Sequence, residues 1–444
     1  MSVARLQTPE PLRFDLDGGA VALLEPSHDV PLVSVVIALR CGSATDSPEK
    51  AGLARIAVRM LRRGCEGLVS EEIDFRIDTL GAEMAVDTSP STVGIHAQVI
   101  ARNVEPFIEL LGRMLRAPTF PDHELERLKR ESIAEIVEAR DNDRVVAQKA
   151  MQRTLFEGHP YGRNAGGTTR TIEAITPADV LDFYRRYVVQ ANLIIGIAGD
   201  VTPDRAPLLA RQLIAGLAAG TAAVDHVPEP NMRPGRRLLL VDKPERTQTQ
   251  ILLGTLGTSG HDADHVSLVV ANAVFGGTFT SRLMKEIRSK RGWSYGASSR
   301  ASVDRRRQAW TLWTFPAAQD AAPCLALAIE LLDTWVRAGV RPAEVNLVKR
   351  YLVRSHAFDV DTATKRLHQA LDLELLDLPR DYFSGWIEHV RAVTPASASA
   401  AVASRIRTDD LLAVVVATAS QVLDPLRSAV PGLAEASVVP FQLE

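Results

Sequence analysis

TPADVLDFYRRYVVQANLIIGIAG, residues 176–199, reads as a capped helix running into a strand, and its reading decides the fold. Thr176 is placed to cap the helix, and Pro177 suits its first turn, where a backbone N–H has no helical partner to lose. NLIIGIAG is an unbroken apolar run of strand length. A second copy of the unit stands at 394–417 as TPASASAAVASRIRTDDLLAVVVA. Thr394 minus Thr176 is 218, and Asp410 minus Asn192 is also 218, so the register holds without a gap.

Other elements repeat in the same order. TQTQILLGTLGT parallels LVSVVIALRCGS, with Ile251 and Val35 216 residues apart. AAPCLALAIELLDTW parallels VEPFIELLGRML, and AEVNLVKR parallels ELERLKR. Five matched elements in one order point to a duplicated domain. Each copy runs strands, helices, strands, helices, strand. The expected class is α+β: two tandem homologous domains, each a mostly antiparallel sheet with helices packed on one face. Residues 218–237 are rich in Ala, Pro and Gly and lack periodicity. The expected division is 1–220 for the first repeat, 221–236 for a linker and 237–444 for the second repeat.

Composition sets the bounds. At 444 residues the chain is too long for one ordinary core. Its 46% hydrophobic and 24% charged residues suit a globular protein. A net charge of −3 gives no electrostatic case for nucleic acid or an anionic membrane as partner. The longest apolar runs are too short to cross a bilayer. The opening residues show no apolar core or cleavage site, so the expected compartment is cytoplasmic, or periplasmic if the chain is a processed form. Cys41, Cys65 and Cys324 are odd in number and far apart, and read as small buried hydrophobes rather than a zinc knuckle or disulfide framework.

Two further stretches carry a resemblance. One is GHPYG at 158–162, followed by GGTTRTIEAITPADVLDFYRRYVVQANLIIGIAGDV. The other is FGGTFTSRLMKEIRSKRGWSYGASS at 275–299. With the duplication, they make nearly the whole chain resemble the zinc peptidases related to pitrilysin, insulin-degrading enzyme and mitochondrial processing peptidase, in the half-size bacterial form. Active members carry His-x-x-Glu-His on the first long helix: i and i+4 share a helical face, so two imidazoles reach one ion beside a carboxylate that activates water. The matching segment here is GLARIAVRML, with Arg55 and Arg59 at the histidine positions and Val58 at the glutamate position. A guanidinium cannot ligate zinc and valine cannot take a proton. The third-ligand position is left open between Glu135 and Glu138.

The resemblance therefore implies a subunit without its own metal. The expected partner is a homologous chain carrying His-x-x-Glu-His and Zn2+, in a heterodimeric metalloendopeptidase acting on peptides or small unfolded proteins. In the family an Arg–Tyr pair contacts the substrate. Arg288, at the end of a helix, would hydrogen-bond a substrate carbonyl. Tyr295, expected in the following strand, would donate to the developing oxyanion. The alternative reading is an inert core or scaffold protein, or a peptide-binding protein, of the same family.

Bland readings stand beside these. Arg55 and Arg59 suit a solvated or salt-bridged helix face. Lys290 and Arg291 suit solvated turn charges, and His159 an ordered loop. Gly276 and Gly277 fit either a close backbone approach or an ordinary helix end. His261 and His265 have the i, i+4 spacing of a metal pair but no evident third ligand.

Overall fold

The computed structural model describes residues 11–442. The first ten residues, part of the stretch read above for a signal peptide, lie outside them. The chain begins with β1 (Leu12–Asp15), β2 (Val21–Pro26), β3 (Leu32–Leu39) and α1 (Leu53–Met60). A small ribbon, β4 (Gly64–Cys65) and β5 (Leu68–Val69), precedes α2 (Ser70–Thr79). Next come β6 (Glu83–Thr88), β7 (Val93–Ile100), α3 (Val104–Arg116), α4 (Asp122–Glu138) and α5 (Asp143–Leu155). The first half ends with α6 (Thr169–Glu173), α7 (Pro177–Tyr187), β8 (Leu193–Gly199) and α8 (Ala206–Ile214). The second half has β9 (Arg236–Asp242), β10 (Gln250–Leu256), α9 (His265–Asn272), β11 (Ala297–Ala301) and β12 (Ala309–Thr314). Helices α10 (Ala321–Ala338), α11 (Pro342–Ser355), α12 (Ala363–Leu375), α13 (Trp386–Ala392) and α14 (Pro395–Arg405) follow, then β13 (Leu412–Ala417), α15 (Ala419–Ser428) and β14 (Leu433–Pro440).

One sheet has the order β1-β2-β8-β3-β7-β6 and the other β11-β12-β10-β13-β9-β14. Read backward, the second places β9, β13, β10, β12 and β11 where the first has β2, β8, β3, β7 and β6. Pairing sense agrees throughout this core. β2 and β8 run parallel, as do β9 and β13, and the remaining pairs are antiparallel. Register agrees too. Val35 faces Ile197 and Ile251 faces Val415, so the 216- and 218-residue offsets of the sequence reproduce the strand pairing. The sheets differ at one edge, where β1 is antiparallel to β2 and β14 is parallel to β9. The Thr176 hydroxyl caps α7 by accepting the Asp179 amide N–H, and Thr394 caps α14 through the Ser397 N–H.

Two compact units are present, and each is discontinuous in sequence. One comprises the described residues up to Glu135 with Arg163–Val227 and His356–Ser384; the other takes Ile136–Gly162, Pro228–Ser355 and the residues from Gly385. In effect the halves exchange a helix. α12, from the second half, lies on β2 and β8 of the first sheet, while α5, from the first half, lies on β10 and β13 of the second. Compact unit and sequence repeat are thus different divisions of one chain.

The exchange explains a feature of the strands. A sheet with one covered face gives alternating polarity, whereas β8 is buried over LIIGIA and β13 throughout. In the second unit, Leu240, Leu253 and Val415 face a core built with α10, α14 and α15. In the first, Leu23, Val36 and Ile194 pack against Leu367 and Leu371 of the exchanged helix. Mid-strand glycines permit the approach: a Cβ on Gly196 would lie 3.0 Å from Leu367, and one on Gly254 2.5 Å from the Met151 sulfur of α5. Each exchanged helix is also locked by charge. Arg366 Nε donates to the buried Glu25 carboxylate at 2.6 Å, and the buried Lys243 Nζ donates to Asp143 at 2.6 Å.

Candidate functional site

The first candidate region is α1. The Asp46 carboxylate accepts the Gly52 and Ala54 amides at 2.9 and 3.0 Å, satisfying donors that the start of a helix leaves open. Burial pushes the Asp46 carboxyl up to about 7 against the pull of those amides. Val58 faces the core and is fully buried. Arg55 and Arg59, one turn apart, both reach Glu135 on α4. Arg55 Nη2 is 2.9 Å from Oε2, and Arg59 grips both oxygens at 2.9 and 3.3 Å. Arg59 also donates to Ser132 Oγ at 3.2 Å. Burial would raise the Glu135 carboxyl, but the charges and hydrogen bonds of the two arginines outweigh it and hold it below its ordinary value. Glu135, rather than Glu138, is therefore the carboxylate that meets Arg55 and Arg59.

A cleft of about 430 Å³ opens here, lined by Arg55, Arg59, Arg62, Arg63, Arg127 and residues of the edge strand β6. Its cations are internally matched. Arg62 pairs with Asp74 at 2.6 Å and donates to the Met84 carbonyl at 3.4 Å, and Arg63 pairs with Glu131 and Glu124. Guanidinium groups are permanent donors with no lone pair to offer a metal. The residues present do not fit zinc, and among the described residues no cluster of three His, Cys, Asp or Glu side chains could hold an ion.

The second candidate region lies in the second unit. Arg288 stands in the π-helical turn Met284–Ser289, and a second such turn spans Ala273–Gly277; turns of this kind are frequent at functional sites. Tyr295 is not in the strand as expected: β11 begins at Ala297. The reason is local. Ser294 Oγ donates to the Gly296 carbonyl at 2.8 Å and accepts the Phe315 amide at 3.2 Å, so side-chain bonds replace ladder bonds until β11 starts. Ser294 is buried beneath, which turns the Tyr295 ring outward to 78% exposure. The Arg288 guanidinium lies over that ring, its carbon 4.4 Å from the centroid. Arg288 and Tyr295 are thus brought together face to ring rather than as two donors converging on one point. Among the described residues neither side chain has a hydrogen-bond or ion-pair partner.

Neighbouring residues have structural roles. Glu286 pairs with Lys290 at 2.6 Å and with Arg291 at 2.9 Å. A Cβ on Gly276 would lie 2.6 Å from Ser299 N, so this glycine allows a close approach to β11. His159 donates through Nε2 to the Pro228 carbonyl and accepts the Tyr161 amide at Nδ1, ordering its loop. His265 is buried with Nδ1 2.7 Å from Thr258 Oγ1, and burial lowers its pKa to about 4. Arg282 holds Glu344 in a two-pronged pair at 3.0 and 2.6 Å. Burial would raise the Glu344 carboxyl, but hydrogen bonds from Arg282 and Arg341 hold it down at about 2. One residue escaped the sequence reading. Phe279 is 73% exposed, with its ring centroid 4.8 Å from the Arg288 guanidinium carbon. Its only signal was a large aromatic directly after Gly-Gly-Thr, in a segment too polar to be core. No helix among the described residues is long and apolar enough to cross a membrane.

Comparison with known proteins agrees with this picture. Residues 21–169 match the model of the insulinase family, peptidase family M16, and residues 174–352 match that of the peptidase M16 inactive domain. The chain is 20% identical to the Helicobacter pylori protein named non-peptidase homolog YmxG, over 89% of this chain and 91% of that one. It is 22% identical to the uncharacterized zinc protease YmxG of Bacillus subtilis, over 82% and 88%. The crystal structure of a peptidase M16 inactive domain from Pseudomonas fluorescens superposes with a TM-score of 0.85 at 23% identity, covering 92% of this chain and 98% of that one. The duplicated sheets and these matches together assign the chain to the M16 peptidase family, in its half-size bacterial form.

Proposed function

We propose that this chain is the non-metal subunit of a heterodimeric zinc endopeptidase. It supplies Arg288 and Tyr295 to a homologous partner that brings His-x-x-Glu-His, the zinc ion and the water-activating carboxylate. The observation that carries this reading is the unequal state of the two regions. The arginines at the ligand positions are saturated by Glu135, whereas Arg288 and Tyr295 present free donors at an exposed surface.

The substrate class follows from edge strands. An extended peptide or unfolded segment adds to a sheet edge through its main chain, and Tyr295 stands two residues before the edge strand β11. Arg288 holds a substrate carbonyl through its in-plane N–H groups. The Tyr295 hydroxyl donates to the oxygen on which charge develops, and losing such a donor costs about 2.7–4 kcal/mol of transition-state stabilisation.

The test is reconstitution. This chain is mixed with a homologue that carries His-x-x-Glu-His, drawn from the same genome, and assayed on an unfolded polypeptide. The expected result is no turnover by this chain alone, metal-dependent cleavage by the mixture, and a loss of roughly 100-fold or more for Tyr295→Phe or Arg288→Ala. Full activity with both substitutions would overturn the site assignment. A mixture that never associates would favour a scaffold role instead.

A further inference from the structure

We propose that Phe279 is a positioning residue for Arg288: with Tyr295 it clamps the guanidinium against two ring faces and aims its edge at a bound peptide. The enzymatic part of this proposal rests on the subunit reading above; the clamp itself does not.

Three observations carry it. First, the guanidinium carbon lies over both rings, 4.8 Å from the Phe279 centroid and 4.4 Å from the Tyr295 centroid, so two aromatic faces are within cation–π reach of it. Second, both rings are largely exposed, at 73% and 78%, so core packing does not account for either. A ring face attracts a cation through its quadrupole without using any N–H. The planar fork of five donors is thereby oriented while its hydrogen-bonding capacity stays open. An ion pair would orient the group equally well but would occupy those donors.

Third, both arms of the clamp are tied to one buried amide. Asn272 Oδ1 accepts from Ser299 Oγ at 2.6 Å and Trp310 Nε1 at 2.8 Å, while Nδ2 donates to the Ser299 carbonyl at 3.1 Å. Ser299 belongs to β11, the strand that Tyr295 leads into. On the other side, Asn272 leads directly into the turn Ala273–Gly277 that delivers Phe279. Thr278 Oγ1 donates back to the Ala273 carbonyl at 3.1 Å, and the Ser281 amide donates to the Thr278 carbonyl at 3.1 Å. The spacing of the rings is therefore set by buried bonds although the rings are exposed. A peptide lying across them would cover the apolar rims and exclude water from the guanidinium edge, where a bond to a backbone carbonyl becomes stronger.

The clamp is tested on the full chain labelled with 15N-arginine. The Arg288 Nε–Hε resonance is identified by its absence in Arg288→Lys. Stacking predicts an upfield, ring-shifted proton and a restrained side chain. Phe279→Ala and Phe279→Leu should move the resonance downfield toward that of a mobile arginine, leaving only the Tyr295 contribution, and Phe279→Trp should keep it displaced. A resonance unmoved in Phe279→Ala overturns the proposal. In the reconstituted pair, Phe279→Ala should raise KM about fivefold with kcat nearly unchanged, and should have no further effect once Arg288 is alanine. Effects of Phe279→Ala and Arg288→Ala that simply multiply would also overturn it. Were the wild-type mixture inactive while the resonance responds as expected, the subunit reading would fail and the clamp would stand.

Discussion

The two sheets share strand order, pairing sense and register, yet the arginines beside their equivalent edge strands, β6 and β11, stand in opposite states. Beside β6, Arg55 and Arg59 converge on Glu135, and Arg62 is held by Asp74. Beside β11, Arg288 has ring faces for neighbours and its donors free. A paired guanidinium neutralises a carboxylate and holds two helices together. An unpaired one held by aromatics keeps its donors for an incoming group. The same contrast of sign appears in the exchanged helices: sheet 1 offers a carboxylate to an arginine on α12, and sheet 2 offers a lysine to an aspartate on α5. Either helix on the other sheet would bring like charges together, so the charges reinforce the exchange.

The contrast can be sharpened first by reversing it. Arg55→His with Arg59→His completes a His2Glu ligand set with Glu135. The double variant should bind one zinc per chain with a Kd of roughly micromolar or tighter, read by metal analysis after dialysis. Glu135→Ala in that background should abolish binding. The variant should still not hydrolyse peptide alone, because Val58 cannot take a proton. Failure to bind zinc would mean that Glu135 does not stand at the third-ligand position.

The helix locks come next. Arg366→Met leaves the carboxylate of Glu25, 2% exposed, without its ion pair. The expected loss is about 3–5 kcal/mol in urea denaturation, partly recovered by adding Glu25→Gln. A loss below about 1 kcal/mol would remove the lock from the account of the exchange.

Acid should weaken the second unit in two steps. The folded pKa of His265, about 4, lies below its ordinary 6.5, so the unfolded chain binds the proton more readily. Stability is therefore complete above pH 6.5 and falls by roughly 3 kcal/mol as pH drops toward 4. Glu344, held at about 2 against an ordinary 4.5, adds a second loss below pH 4.5. Urea midpoints measured across this range should flatten between pH 6.5 and 4 in His265→Gln; an unchanged slope would refute the assignment.

The smallest effects separate the arginines directly. Glu135→Ala should cost about 1 kcal/mol, since its side chain is 42% exposed and solvent screens the pairs. Arg288→Ala should cost less than about 0.5 kcal/mol, whatever it does to activity. Equal losses in thermal melts would erase the distinction between a structural and an available arginine.

Much of this was legible in the chain. The Thr-Pro helix starts and the strand runs that follow them predicted the duplication, and their offsets recur in the strand register. The departure from the His-x-x-Glu-His pattern was plain at Arg55, Val58 and Arg59. Less legible was the start of β11, because Ser294 replaces ladder bonds with side-chain bonds that no periodicity encodes. Phe279 was missed because an exposed aromatic has no pattern to betray it.

Sequence by itself determined the repeat and the α+β class and singled out Arg55, Val58, Arg59, Arg288 and Tyr295, since periodicity, caps and side-chain chemistry are local properties. Tertiary structure alone decided which helix covers which sheet, that Glu135 rather than Glu138 meets Arg55 and Arg59, and that the Arg288 guanidinium lies over the rings of Phe279 and Tyr295. Those outcomes depend on partners distant along the chain. Their contacts are set by packing and charge matching in three dimensions, and neither leaves a spacing to read.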